Sequence, residues 1–168
     1  MSTPSSSPHS GCITCALIEQ RDQGERPLWD SIYRTSHWDV AHAYDSALPG
    51  WLVLVVRRHI TSVAALTRDE SVELGLLIAT ASQALEAAVG CQKTYVVQFA
   101  EAQGHPHVHV HIIPRMPDIP DDRRGPRVFG YLGVPEAERV PEDAMNRIAE
   151  QVRAYLFTAH RMRPGGRG

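Results

Sequence analysis

The sequence is poor in cysteine, because its 168 residues include only Cys12, Cys15 and Cys91. An odd number of cysteines, two of them in a Cys-x-x-Cys pair, argues against the disulfide framework of a small secreted domain. Close cysteines in a reducing compartment are more often metal ligands or redox-active groups, and both alternatives stay open for Cys12 and Cys15. We interpret Cys91, which follows Gly90 at a predicted helix end, as a small buried hydrophobic residue.

The chain also lacks an excess of either charge, a block of like charges and a long apolar run. Its 17 basic and 19 acidic residues give a net charge of −2 with neutral histidines, which does not favour nucleic-acid binding. The longest apolar run, 51–56, is too short to span a membrane, and residues 1–8 lack the features of a signal peptide. We therefore expect a soluble cytoplasmic protein without a membrane or nucleic-acid partner.

The length predicts one domain with an extension. Residues 1–11 are rich in Ser and Pro and are expected to be disordered. Residues 12–116 form the expected domain. Residues 117–168 form a C-terminal extension, with a surface segment rich in Pro, Asp, Arg and Gly over 117–140 and one helix that starts near Pro141.

The predicted elements run as strands, one long helix and further strands. Apolar residues recur at helical spacing over about 68–89, and Gly90 follows as a helix stop. A shorter helix is expected at 16–21. Strands are expected at 32–35, 38–44, 51–57, about 94–99 and about 107–114. This order indicates an α+β fold with an antiparallel sheet packed by a helix.

Four of the nine histidines lie within residues 105–111. Three of them alternate with apolar residues, in the order His107, Val108, His109, Val110, His111, Ile112. Side chains alternate between the two faces of a strand, so the three histidines are expected on one face and the apolar residues on the core face. The histidine row is expected to lie along a surface or a cleft.

Such a row suits nucleophilic attack on phosphorus. The ordinary pKa of imidazole is about 6.5, so one ring nitrogen is free to attack at neutral pH while the other donates to a fixed acceptor. Phosphoryl transfer needs mainly positioning and charge stabilisation. From the residues alone a metal site is an alternative, because imidazole is the commonest metal ligand. A solvated edge strand is disfavoured by the apolar opposite face.

The run 107–115, His-Val-His-Val-His-Ile-Ile-Pro-Arg, resembles the His-φ-His-φ-His-φ-φ signature of the histidine triad (HIT) family. Upstream, residues 49–59 resemble the family's Gly-His-x-Leu-Val-x-Pro-Lys-x-His segment, although Val56 and Arg57 replace the Pro-Lys. The resemblance covers about residues 12–116. It implies a five-stranded antiparallel sheet with one long helix, and a homodimer formed through that helix and an edge strand.

The resemblance implies that His109 attacks the α-phosphorus of a nucleotide and that water then hydrolyses a covalent nucleotidyl-histidine. It implies that His111 contacts the α-phosphate and the bridging oxygen, and that His107 belongs to the supporting set. The expected function is hydrolysis or transfer at the α-phosphate of a purine nucleotide conjugate, either a dinucleoside polyphosphate or a nucleoside phosphoramidate. Dinucleoside substrates are expected to arrive as magnesium complexes.

Structural zinc is the predicted metal. Tetrahedral zinc takes four N or S ligands, and His59 and His107 could complete a set with Cys12 and Cys15. The resemblance supports these four residues, because many bacterial HIT proteins have a zinc site at matching positions. His105 stays open as an alternative to His107 or as a pocket residue, since Pro106 interrupts the strand between them.

The phosphate side of the predicted site departs from the family pattern. The family usually has Gly-Gln-Ser/Thr ahead of the triad, whereas residues 102–106 read Ala-Gln-Gly-His-Pro. We predict that Gln103 still reaches phosphate. Gln98 lies where an Asn or Gln often helps hold the substrate, and we assign it to substrate binding as well.

The part of the predicted site that would bind the nucleoside also differs from the family pattern. Ala43 lies where the family commonly has an Asp that binds the ribose hydroxyls, and Asp45 is nearby but out of register. We predict substrate binding by Asp45, with His42 or Tyr44 as alternatives. Trp51 stands where a histidine is frequent, and we interpret it as a core or rim aromatic.

There are two alternative functions, a binding module and a different kind of hydrolase. The departures at Ala43 and Gln103 favour a non-catalytic nucleotide-binding or protein-interaction module that retains the fold. A metal-dependent hydrolase that uses the histidine row is less favoured, because carboxylate ligands are missing near the triad.

Overall fold

The computed structural model describes residues 11–161, so the expected disordered tail lies outside the described residues except for Gly11. Three α-helices are described: α1 (Ile13–Asp22), α2 (Arg68–Val89) and α3 (Glu142–Arg161). The strands are β1 (Tyr33–Arg34), β2 (Trp38–His42), β3 (Leu52–Val56), β4 (Lys93–Val97) and β5 (His109–Arg115). Short 3-10 helices occupy Leu28–Asp30, Val63–Ala65, Asp121–Arg123, Gly125–Tyr131 and Glu136–Glu138.

The five strands form one antiparallel sheet in the order β1-β2-β3-β5-β4. This confirms the predicted α+β fold with a five-stranded sheet. The histidine strand β5 is paired on both sides, and His109 and His111 lie opposite Val55 and Val53 of β3. Strand β4 is an edge of the sheet. The histidines are therefore held by a rigid interior strand.

Helix α2 has the predicted bounds because both of its ends carry strong sequence signals. The Thr67 side chain accepts a hydrogen bond from the Glu70 N–H (3.2 Å), and the Glu70 carboxylate accepts one from the Thr67 N–H (2.7 Å). This reciprocal capping box satisfies two backbone donors at the helix start. At the other end Gly90 adopts a positive φ of 69°, which terminates the helix.

Helix α2 is the one helix of residues 11–161 that is long and apolar enough to cross a membrane, with a mean hydropathy of 1.4. Length and composition are weak evidence for a span, because core helices of soluble proteins also have them. Leu77, Ala81 and Leu85 of α2 are buried in the domain core. Only 22% of the apolar window is buried, however, so the outer face of α2 is apolar and exposed.

The main core lies between one face of the sheet and helices α2 and α3. Helix α3 shares this core with the sheet, because Ala149, Val152 and Leu156 are buried in the same cluster. Asn146 of α3 also accepts a hydrogen bond from the Trp29 backbone N–H at 3.0 Å. The sheet contributes Trp38, Val40, Leu52, Leu54, Val56, Val108, Val110 and Ile112. Burial of these apolar side chains is the main source of the domain's stability.

The segment 117–140 folds over the opposite face of the sheet. Ile119 and Val128 are buried there, with exposed fractions of 4% and 1%, although much of the segment lies at the surface as predicted. The Ala47 N–H donates to the Tyr131 carbonyl (2.8 Å), and a β-bridge joins Ser46 to Leu132. The second cluster consists of Ala43, Leu48, Trp51, Ile113, Ile119 and Val128.

Candidate functional site

Strand β5 separates two kinds of side chain, as the alternation predicts. Val110 and Ile112 are buried in the helix-side core, whereas His109 and His111 face the side covered by the extension. His109 is partly exposed and His111 is 7% exposed, so the pair lines a cleft. His107 precedes the strand, is fully buried and does not line the cleft, so the prediction of a row of three histidines along a surface or cleft was wrong for His107.

The proton of His109 has a defined place. His109 Nδ1 lies 2.8 Å from the backbone carbonyl oxygen of His107. A carbonyl oxygen only accepts hydrogen bonds, so Nδ1 carries the proton and Nε2 of the neutral ring carries a lone pair. Burial lowers the pKa of His109, which favours this neutral form. The arrangement leaves Nε2 available as a nucleophile.

His111 has the opposite tautomer. The indole Nε1–H of Trp51 donates to His111 Nδ1 at 3.0 Å. Indole can only donate, so Nδ1 of His111 is unprotonated and the ring proton is on Nε2. Burial, and then the nearby charge of His109, lower the pKa of His111 to about 4. The His109 and His111 rings lie edge to face with centroids 5.0 Å apart. A neutral nucleophile therefore lies beside a neutral hydrogen-bond donor.

A cavity of about 140 Å³ opens in front of this pair. Helix α1 forms one wall with Thr14 and Leu17, and the extension adds Leu132. The volume is below the roughly 300 to 1,000 Å³ that is usual for ligand pockets. A larger cavity of about 430 Å³ lies between β1, α2 and α3, but it contains none of the triad histidines. We place the candidate site at the smaller cavity, because it contains the paired imidazoles.

Of the three residues predicted to bind substrate, the fold places only one at the cavity. Asp45 lines the cavity, and so does Ala43 at the position where the family has an Asp. Gln98 is half-buried and Gln103 is exposed, and neither lines the cavity. The assignment of Gln103 to phosphate contact and of Gln98 to substrate binding stays a prediction.

His42 lines the cavity but is fully engaged by the backbone. Its Nδ1–H donates to the Ala43 carbonyl (2.8 Å), and its Nε2 accepts from the Gly50 N–H (2.9 Å). Burial lowers its pKa to about 4, so the ring is neutral. Both ring nitrogens are used by the turn between β2 and β3, which makes His42 a structural residue rather than a ligand for ribose.

Four predicted metal ligands converge at the start of the histidine run. The donor atoms of Cys12, Cys15, His59 and His107 all lie within 4.8 Å of one another. Individual Sγ–Nδ1 distances are 3.2 Å for Cys15 and His59, 3.5 Å for Cys15 and His107, and 3.7 Å for Cys12 and His107. Tetrahedral zinc with ordinary bond lengths has ligand–ligand edges of about 3.4 to 3.8 Å. The residues therefore fit zinc.

The surroundings of the cluster also suit a metal. The Nε2–H of His107 donates to the Val56 carbonyl at 2.6 Å, which turns Nδ1 toward the cysteines. Burial and the neighbouring Cys12 raise the pKa of the Cys15 thiol to about 12. A cation would reverse this effect, because cysteine binds zinc as a thiolate.

His105 does not belong to this cluster. Its Nδ1 lies 2.8 Å from the Thr14 hydroxyl, and the ring lines the cavity beside His109. Of the two alternatives for the fourth ligand position, the geometry favours His107.

Sequence reasoning missed one neighbour of the site. Phe129 of the extension contacts His111 and Trp51 edge to face, with ring centroids 5.5 and 5.3 Å apart. Phe129 lies in a 3-10 helix that is too short to produce a hydrophobic period, so no local pattern pointed to it.

The fold and the site thus combine an antiparallel sheet, paired histidines on an interior strand and an adjacent Cys₂His₂ cluster. The family model described as the HIT domain matches residues 29–118. This is more than half of the chain, which belongs to the HIT family. Membership in this family supports nucleotide binding. No curated protein sequence matches the chain significantly.

Solved structures show the same fold at low sequence identity. A zinc-bound histidine triad family protein from Mycobacterium smegmatis is 14% identical with a TM-score of 0.65, and the match covers 92% of this chain and 99% of that one. A histidine triad protein from Sinorhizobium meliloti is 25% identical with a TM-score of 0.61, covering 74% and 87%. A HIT-like protein from Bartonella henselae is 19% identical with a TM-score of 0.61, covering 83% and 94%.

Proposed function

We propose that this protein is a nucleotidyl hydrolase or transferase that cleaves purine nucleotide conjugates at the α-phosphate. Dinucleoside polyphosphates and nucleoside phosphoramidates are the leading substrate classes. The observation that carries the proposal is the pair of opposite tautomers, because His109 offers a lone pair at Nε2 and His111 offers a proton at Nε2. These are the two groups that an in-line displacement at phosphorus needs side by side.

In the proposed reaction, His109 Nε2 attacks the α-phosphorus and a P–N bond forms as the bond to the leaving group breaks. A phosphate leaving group departs as its anion with the bonding electron pair, whereas a leaving amine takes a proton from solvent as the bond breaks and departs as the neutral amine. The His111 Nε2–H donates to the phosphoryl or bridging oxygen and offsets the negative charge that develops there. Water then attacks the same phosphorus and the P–N bond to His109 breaks with its electron pair returning to Nε2. This step releases the nucleoside monophosphate, passes one proton from the water to solvent and restores neutral His109. A hydroxyl or phosphate acceptor in place of water gives transfer.

The proton stays on His109 Nδ1 throughout the two reaction steps and keeps its hydrogen bond to the His107 carbonyl. The positive charge that His109 acquires in the covalent intermediate is stabilised by the phosphoryl group and by this carbonyl. Such fixed partners cost no reorganisation during the reaction.

We assign structural zinc to Cys12, Cys15, His59 and His107. Four protein ligands close a tetrahedral site, so the metal would supply a cross-link between α1, the segment after β3 and the histidine run. The zinc-bound relative from Mycobacterium smegmatis supports the assignment. His107 is then a ligand rather than a reacting group.

On the substrate side we assign the ribose hydroxyls to Asp45, which lines the cavity. We assign phosphate contact to Gln103 and a substrate-binding role to Gln98, after substrate binding draws the loop ahead of β5 toward the cavity. Magnesium enters this proposal only with a dinucleoside polyphosphate substrate.

We further propose a homodimer in the cytoplasm. The edge strand β4 and the outer face of α2 expose Val96, Val72 and Leu76 at 46%, 54% and 41%. An unpaired edge next to an apolar helix face is a typical site of association. A reducing compartment keeps the zinc-binding thiols free. Light scattering should give twice the chain mass for the wild type, and Leu76→Glu should shift the protein to the monomer mass.

The proposal is tested by a substrate panel. The zinc-loaded protein is incubated with adenosine and guanosine phosphoramidates and with dinucleoside polyphosphates of different length, and nucleoside monophosphate release is measured by chromatography. Steady turnover of at least one class is expected. Turnover should persist when free metal is chelated from phosphoramidate reactions, which a metal-dependent hydrolase would not allow.

A non-catalytic nucleotide-binding module is the second candidate, and the small cavity with Ala43 at its ribose side favours it. Calorimetry on the same panel separates the two candidates. Nucleotide binding with no turnover of any panel member would establish the module and contradict the enzyme.

A further inference from the structure

Trp51 is buried without any exposed surface at the start of β3. Its indole N–H has one partner, His111 Nδ1, at 3.0 Å. A buried indole N–H without a partner is energetically costly, so this hydrogen bond is stable in the fold.

The aromatic surroundings fix the geometry of the bond. Trp51 and His111 lie edge to face with centroids 5.7 Å apart, and Phe129 contacts both rings edge to face. Three mutually perpendicular rings leave His111 little freedom to rotate, because each ring edge meets a ring face. The hydrogen bond and the packing together determine both the orientation of the imidazole and its tautomer.

We propose that Trp51 is a positioning residue that keeps the proton of His111 on Nε2, where it can donate to the phosphoryl group. The inference rests on the proposed function for its effect on turnover, but its structural part stands independently. Trp51 acts through His111 and does not itself contact the reacting atoms.

Loss of this donor has a defined consequence. With no N–H opposite Nδ1, the neutral ring of His111 is free to place its proton on Nδ1 instead. Nε2 then presents a lone pair toward a negatively charged phosphoryl oxygen, which is repulsive. Groups that orient a functional imidazole commonly change activity about 10- to 100-fold when they are removed. We expect a fall of that size in kcat, with a smaller change in KM.

Two substitutions at position 51 separate hydrogen bonding from packing. Trp51→Phe keeps an aromatic ring but has no N–H, whereas Trp51→His is smaller but keeps a ring N–H that can donate to His111. A positioning role predicts that the His variant retains more activity than the Phe variant. A purely structural role predicts the reverse order, because Phe fills more of the space left by the indole.

Trp38→Phe is the matched control. Trp38 is also fully buried, and its indole N–H donates to the Glu70 carbonyl at 2.9 Å on the helix side of the sheet. Its removal should lower stability while leaving both kcat and the tautomer of His111 unchanged.

The tautomer is read directly by ¹⁵N NMR of the histidine rings in the zinc-loaded protein. The wild type should show His111 Nδ1 as an unprotonated, pyridine-type nitrogen and Nε2 as protonated, and Trp51→Phe should lose this pattern. A protonated Nδ1 in the wild type, or an unchanged tautomer and kcat in Trp51→Phe, would overturn the proposal. If the wild type turns over no panel member, the proposed function fails while the NMR result still decides the role of Trp51. If the variants do not fold, the wild-type spectrum decides alone.

Discussion

The two ends of the histidine run 107–111 contain the same residue type in very different surroundings. At the start, His107 is fully buried and its Nδ1 faces two cysteine sulfurs. At the other end, His111 accepts from an indole N–H and lies in an aromatic cluster. His109 lies between them and donates to a backbone carbonyl.

The difference shows that the partner of each ring determines its chemistry. The two cysteine sulfurs make His107 suitable as a metal ligand, because the lone pair of its Nδ1 points toward a position where one zinc ion could bind all three residues. The carbonyl makes His109 suitable as a nucleophile, and the indole makes His111 a hydrogen-bond donor. The two ends are physically linked, since the His107 carbonyl holds the His109 ring.

The largest expected effect is at His109. His109→Ala removes the attacking nitrogen, and kcat should fall by about 10⁴-fold or more, as in other enzymes that lose a nucleophile. Rates on the best panel substrate measure this effect. His42→Ala is unsuitable as a control because it opens the β2–β3 turn, so His160→Ala on α3 serves instead and should keep wild-type rates. Comparable losses in both variants would contradict the assignment.

The second prediction concerns the metal end. Cys15→Ser removes one proposed zinc ligand, so metal analysis should fall from one zinc per chain to far below one. Unfolding by urea should show a loss of about 4 kcal/mol, because loss of a metal is among the largest single-site effects. The matched control is Cys91→Ser, which changes a buried cysteine that lies outside the cluster and should retain the metal. Unchanged zinc content in Cys15→Ser would contradict the proposed site.

The third prediction concerns Phe129, the aromatic side chain that packs against His111. Phe129→Ala removes an edge-to-face partner of both Trp51 and His111 and should cost about 2 kcal/mol, since the ring is only half-buried. Water should enter, and the pKa of His111 should rise toward its ordinary value. Phe157→Ala is the control, because that ring packs on Tyr33 away from the site. An equal change of the His111 pKa in both variants would show that Phe129 does not shield His111.

The smallest effect is the pH response of His111. Its pKa in the fold is about 4, below the ordinary value near 6.5, so the unfolded chain binds more protons between these values. Its contribution to stability is therefore complete above about pH 6.5 and is lost as the pH falls toward 4. NMR of the ring carbons should show His111 neutral down to about pH 5. Titration of this ring near pH 6.5 would contradict the prediction.

The sequence predicts the sheet and the long helix well because their signals are local. The alternation over 107–112 and the end signals at Thr67 and Gly90 act between neighbouring residues. The convergence of Cys12 and Cys15 with His59 and His107 is a long-range contact, and only the family resemblance suggested it. The sequence alone does not decide between His105 and His107, because only the tertiary structure shows that the two rings have different partners.

The partners of His111 were beyond sequence reasoning. The sequence predicts that Trp51 is a core or rim aromatic, and it is buried, but its indole N–H also donates to a triad histidine on the neighbouring strand β5. Phe129 reaches the site through a fold-back of 3-10 helices, which have no hydrophobic period to recognise. The predicted surface segment therefore also forms part of the wall around the histidine pair.

The most direct test of the central claim is to trap the covalent intermediate. The wild-type protein is mixed with an adenosine phosphoramidate, quenched within the first turnover and digested for peptide mass spectrometry. An adenylyl group is expected on His109, with no adduct in His109→Ala and none on His107 or His111. Efficient turnover with no adduct at any time, or an adduct on another histidine, would contradict the role of His109 as nucleophile.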